Sequence, residues 1–127
     1  MRVAYIVARV LLGLMFTVFG LNGFLHFLPA PMPPGLAGQF LGVIFQSGFY
    51  VLIFATQTVA GILLLAGRFV PFALALLAPV IANILVFHLT MAPAGIAPGL
   101  VALVLWILAV FAARKHFMPL FEPVVCP

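Results

Sequence analysis

The stretch Val101-Ala-Leu-Val-Leu-Trp-Ile-Leu-Ala-Val110 has no alternation of polarity and no charge along its length. A strand crossing a bilayer reads as short segments of alternating character. A run apolar on every side suits a helix, which satisfies its backbone groups within the segment. The rest of the chain extends this pattern: of 127 residues, 68% are hydrophobic and 5% are charged. Soluble domains carry about a quarter charged residues. The composition therefore predicts an all-α integral membrane protein with no soluble domain.

Outward from Val101, four segments are long enough to cross roughly 30 Å of hydrocarbon at about 1.5 Å per residue. The expected spans cover about residues 3–28, 49–66, 69–91 and 97–113, followed by a tail over 114–127. Span one ends at Pro29, Pro31, Pro33 and Pro34, span two at Gly67, and span four at Arg114-Lys115. The segment 35–46 is too short to cross and is expected as a short interfacial helix between spans one and two. Arg2 and Arg9 precede an apolar run too long for a secretory signal core, and Leu28-Pro29-Ala30-Pro31 is a poor cleavage site. That run is expected to be retained as span one.

The five cations decide the orientation. Arg2 and Arg9 open span one, Arg68 separates spans two and three, and Arg114 and Lys115 follow span four. In a four-span threading all five fall on one side, and the positive-inside rule makes that side cytoplasmic. Both termini are then cytoplasmic. The cations form no basic stripe, so the formal charge of +4 is not a nucleic-acid signal. The lone Cys126 excludes an intrachain disulfide.

The short Gly67-Arg68 turn makes spans two and three an antiparallel hairpin. Small residues form a ridge on every span: Gly13, Thr17 and Gly20; Ala60 and Gly61; Ala75, Ala78 and Ala82; Ala102, Ala109 and Ala113. Such ridges let helices approach closely in lipid, and a four-helix bundle follows. Pro79 removes the donor for the Ala75 carbonyl, so a kink is expected. It serves either packing or an opening in the outer half. Arg9 is expected to snorkel to the cytoplasmic surface, in preference to pairing with a backbone carbonyl or with Glu122.

With so few charges, polar side chains inside the spans are the candidates for chemistry, since they are costly in lipid and face the bundle interior. Asn22 and His26 are four apart at the outer end of span one. Gln57 lies mid-span on a stripe with Tyr50, Phe54 and Gly61. Asn83 and His88 occupy the outer half of span three, about 140° apart around the helix. Together with Phe24, Phe54 and Phe87 they suggest a polar pocket open to the outer side. The alternative is that Asn22, Gln57 and Asn83 bond across helices and fix the bundle, at about 0.6 kcal/mol each. The histidines suit a donor to a ligand carbonyl, a proton carrier or a haem bridged between His26 and His88. Ligand spacing for a non-haem metal is missing. His116, beside Arg114 and Lys115, reads as interfacial, and Trp106 as core or lipid-facing bulk.

Ala8-Arg-Val-Leu-Leu-Gly-Leu-Met-Phe-Thr-Val-Phe-Gly-Leu-Asn22, Ser47-Gly48, Ala60-Gly-Ile-Leu-Leu-Leu-Ala-Gly-Arg-Phe-Val-Pro71 and Ala78-Pro-Val-Ile-Ala-Asn-Ile-Leu-Val-Phe-His88 together resemble the DoxX family of small bacterial membrane proteins. The resemblance covers roughly residues 5–115. It implies a four-span bundle in the bacterial cytoplasmic membrane. It also implies a link to redox processes there, among them quinone-coupled thiosulfate oxidation and responses to oxidative or quinone stress. Distant relatives include assembly chaperones for receptors. Relatives often carry an acidic residue where this chain has Gln57.

Two functions are therefore expected as alternatives. In the first, the bundle binds a small hydrophobic molecule such as a quinone. His26 and His88 donate to its carbonyls, and Asn22, Gln57 and Asn83 assist. No electron carrier is evident, so redox activity needs a partner or a bound cofactor. In the second, the chain is a structural or assembly subunit of a larger membrane complex, or of a homo-oligomer. A transporter is disfavoured by the lack of intramembrane charge and of broken helices.

Overall fold

The computed structural model describes every residue from Met1 to Pro127 and contains helices and turns only. In chain order these are α1 (Arg2–Leu25), α2 (Gly35–Ser47), α3 (Tyr50–Ala66), α4 (Val70–Met91) and α5 (Ala97–Ala112). Short 3-10 turns occupy Pro93–Gly95, Arg114–His116 and Met118–Phe121. Helices α1 and α4 are each long and apolar enough to cross a membrane. Helices α2 and α3 meet at an 88° bend and add a third such element when taken as one bent span. Helix α5 is apolar but shorter, its 16 residues extending roughly 24 Å.

The expected boundaries hold within a few residues, and the largest discrepancy is informative. Helix α1 stops at Leu25 rather than residue 28, because His26 adopts the left-handed conformation with φ 51°. Its N–H still reaches the Asn22 carbonyl at 2.9 Å, which closes the last turn. The α3–α4 connection is built similarly. Gly67 has φ 68°, and its N–H and that of Arg68 return to the carbonyls of Leu64 and Leu63, a Schellman-type stop. An antiparallel hairpin results.

Helix α1 packs chiefly along α3 and also against α5, while α4 packs against α3 and α5. The four longer helices thus close a ring in the order α1, α3, α4, α5. Helix α2 lies across one end and touches α3 and α4 lightly. The α1–α3 contact is very close: a Cβ added to Gly61 would lie 2.5 Å from the Thr17 amide nitrogen. Gly20 abuts Thr58, and Gly23 abuts the Phe54 ring. In lipid, which is as apolar as leucine, such an approach would gain mainly dispersion, about 0.1–0.2 kcal/mol per atom pair.

The core is lopsided. Its fully enclosed large side chains, Leu12, Leu64, Leu74 and Leu77, belong to the first half of α1, the end of α3 and the first half of α4. All lie toward the end opposite α2. The flanks are apolar and exposed, as at Leu14, Leu52, Phe72 and Val104.

Two expectations about packing need correction. The ridge on span three does not mediate packing, since Ala75 and Ala82 are exposed while Ala73, Leu74, Leu77 and Ile81 are buried. Pro79 is exposed as well, inside a helix that continues from Val70 to Met91. Arg9 does not snorkel; its guanidinium donates to the Leu64 carbonyl and reaches that of Leu65 at 3.5 Å. A cation there meets the negative end of the α3 dipole, which favours pairing over solvation.

Candidate functional site

Asn22 and His26 do not share a helix face. The side-chain oxygen of Asn22 accepts the Leu28 N–H at 2.8 Å, so Asn22 caps the chain as it leaves α1. His26, beyond the helix end, is carried by its left-handed torsion toward α2. Its ring lies 5.8 Å from that of Phe45. The left-handed region is sparsely used by residues other than glycine and costs of order 1 kcal/mol. The proline-rich segment that follows leaves the α1 axis directly.

Phe45 is the hub of an aromatic cluster. Its ring stacks on Tyr50 at 5.3 Å and on Phe54 at 5.9 Å, while Phe24 meets Tyr50 at 5.9 Å and Phe54 at 6.4 Å. Helix α1 thus supplies Phe24, α2 supplies Phe45, and α3 supplies Tyr50 and Phe54. The bend at Gly48, where φ is 83°, folds α2 back so that Phe45 can meet the start of α3. On the opposite side, Phe40 lies 5.7 Å from Phe87, which ties α2 to α4.

Gln57 lies beneath this cluster. Seven residues after Tyr50, about two turns, it returns to nearly the same direction around α3. It is the buried polar residue of the bundle, 5% exposed. Its amide takes part in none of the chain's side-chain hydrogen bonds. The fully enclosed side-chain polar atom without a partner is Thr17 Oγ1. The Gln57 amide is thus without a protein partner yet not fully enclosed. An amide held there offers two donors and an acceptor.

The α4 residues sit apart from this group. Asn83 is exposed, and its Nδ2 donates to the Pro79 carbonyl one turn back at 2.8 Å. It faces outward and does not line the bundle interior. His88 Nδ1 is 2.8 Å from the Ile84 carbonyl. A carbonyl only accepts, so Nδ1 bears the proton and a neutral ring presents Nε2 as an acceptor. That nitrogen lies beneath the Pro93–Gly95 turn, 3.4 Å from where a Gly95 Cβ would stand. The expected donation from His88 to a ligand carbonyl would need the imidazolium. Of the five residues expected to converge, the structure places His26 and Gln57 around one aromatic cluster. Asn22 caps α1, and Asn83 and His88 bond back to their own helix. No three His, Cys, Asp or Glu side chains lie close enough together to hold a metal ion.

Sequence reasoning missed two features. Composition does not single out Phe45, though its place three residues before the Gly48 turn is a signal that α2 folds back onto α3. Trp106, read as bulk, donates its indole N–H to the Leu74 carbonyl at 2.8 Å and pins α5 to α4. Compared with protein-family models, with curated proteins and with solved structures, the chain matches none. The likeness to DoxX proteins therefore stands on the quoted sequence stretches alone.

Proposed function

We propose that the chain is a DoxX-like protein of the bacterial cytoplasmic membrane that crosses the bilayer four times, through α1, α3, α4 and α5. Helix α2 lies at the outer interface, and both termini are cytoplasmic. The gathering of the cations at one end of the ring supports this threading, as do the apolar flanks. Helices α3 and α5 are short for an average bilayer and are accommodated by local thinning and by flanking residues.

The bundle receives an amphiphilic carbonyl compound of the quinone type at the end covered by α2. Its ring stacks among Phe24, Phe45, Tyr50 and Phe54, the Gln57 amide donates to one carbonyl, and the exposed His26 ring donates to the other. The single observation that carries this reading is the buried Gln57 amide, unpaired beneath an aromatic cluster. The chain binds the compound; electron transfer falls to a partner protein or a separate cofactor. The test is thermal unfolding in mild detergent with a short-chain ubiquinone. The native chain is expected to unfold at higher temperature with the quinone, and Gln57→Leu to lose that response while folding normally. An equal response in both chains, or none in either, removes the proposal.

A second reading rests on the exposed face of α4, where Ala75, Pro79, Ala82 and Asn83 lie together. A polar amide on a lipid-facing ridge of small residues suits packing against another membrane helix. The chain would then be an assembly subunit or a homo-oligomer. A stoichiometric crosslinked partner in native membranes, together with no quinone response, selects this reading.

A further inference from the structure

At the end of the ring opposite α2, a cleft of about 360 Å³ opens between the starts of α1 and α4 and the end of α5. Arg2, Tyr5, Val70, Pro71, Ala113 and His116 line it. Its polar side chains are all able to donate: a guanidinium, a phenol and an imidazole. No carboxylate lines it, and Glu122 is the single acidic side chain of the chain. The carbonyls at the end of α5 that would repel an anion are partly occupied. Ala113 O accepts the His116 N–H at 2.9 Å, and Phe111 O accepts Arg114 Nη1 at 2.9 Å. Arg114 is further committed to the Phe111 ring, 4.6 Å from its centroid. Arg2 has no such partner and is free to engage a ligand.

We propose that this cleft binds a phosphate group, supplied by the head of an anionic phospholipid. Arg2 grips two phosphate oxygens through its planar fork. The Tyr5 hydroxyl and a His116 N–H donate to the remaining oxygens. The apolar wall of Val70, Pro71 and Ala113 receives the glycerol and the upper acyl chain, which a soluble phosphate would leave empty. Placing the lipid in the cytoplasmic leaflet rests on the threading proposed above. The phosphate chemistry does not, and neither depends on the quinone reading.

The test uses the full chain in nanodiscs of phosphatidylcholine alone or mixed with phosphatidylglycerol. Lipid retained after gentle delipidation is read by native mass spectrometry. The native chain is expected to keep phosphatidylglycerol in preference to phosphatidylcholine. Arg2→Gln should weaken that retention about tenfold, the worth of one charged hydrogen-bonding pair, and His116→Gln and Tyr5→Phe should weaken it less. Lys115→Gln removes a charge from the same face outside the cleft and should retain the lipid fully. Equal loss in Lys115→Gln, or undiminished retention in an Arg2→Gln/His116→Gln double variant, overturns the site. Inorganic phosphate added to lipid-free micelles separates the sources. Stabilisation that Arg2→Gln abolishes overturns the lipid in favour of a soluble phosphate, and no effect upholds the lipid.

Discussion

The Thr17 hydroxyl is enclosed between α1 and α3 without a hydrogen-bond partner, against Gly61. A buried polar group left unpaired costs about 1–3 kcal/mol, whereas an apolar group of the same shape costs nothing there. Thr17→Val keeps the volume and removes the orphan group. The thermal midpoint in detergent is expected to hold or rise, with a gain of about 1 kcal/mol. A clear drop would show that the hydroxyl is bonded after all. At this scale the sequence revealed which side chains were costly and how deep they lay. It did not reveal where they pointed. His26 left the α1 face through a single backbone torsion, and Asn83 and His88 found acceptors on their own helix, which spacing alone does not distinguish from an interhelical bond. Gln57 was legible because Tyr50, Phe54 and Gly61 marked one stripe of α3. Trp106 was not, since its acceptor is a backbone carbonyl on α4.

Among the elements, the α1–α3 contact depends on glycine more than any other. A methyl at Gly61 meets backbone as well as the Thr17 side chain, so the helices must separate by some tenths of an ångström or more. Gly61→Ala is expected to lower stability by about 1–3 kcal/mol, the usual cost of overpacking. Gly42→Ala serves as the control, because a Cβ there meets no atom within 4 Å. Equal behaviour of the two variants in thermal unfolding would show that the close approach carries no energetic weight. The small-residue ridges of α1 and α3 were legible from spacing. The ridge of α4 misled, because a stripe of alanines records only that approach is possible. The packed face of α4 instead carries Leu74, Leu77 and Ile81, which fill the ring between α3 and α5. Helix boundaries were legible wherever glycine or proline ended an element, and failed at His26, where neither marks the stop.

For the whole molecule, the sidedness of the threading can be read from a native probe. Cys126 is exposed and is the chain's lone cysteine. If the C-terminus is cytoplasmic, as proposed above, a membrane-impermeant maleimide should leave it unlabelled in intact cells and label it after lysis. Labelling before lysis would invert the threading, while the nanodisc measurement of the phosphate cleft would remain valid. The lopsided core has a further consequence. Leu12, Leu64, Leu74 and Leu77 are fully enclosed at their level, so on the proposed reading a guest seated under α2 would meet a dry floor partway down. The bundle would then act as a cup rather than a conduit, holding that guest at one membrane face while the barrier to water and ions stays intact at the other.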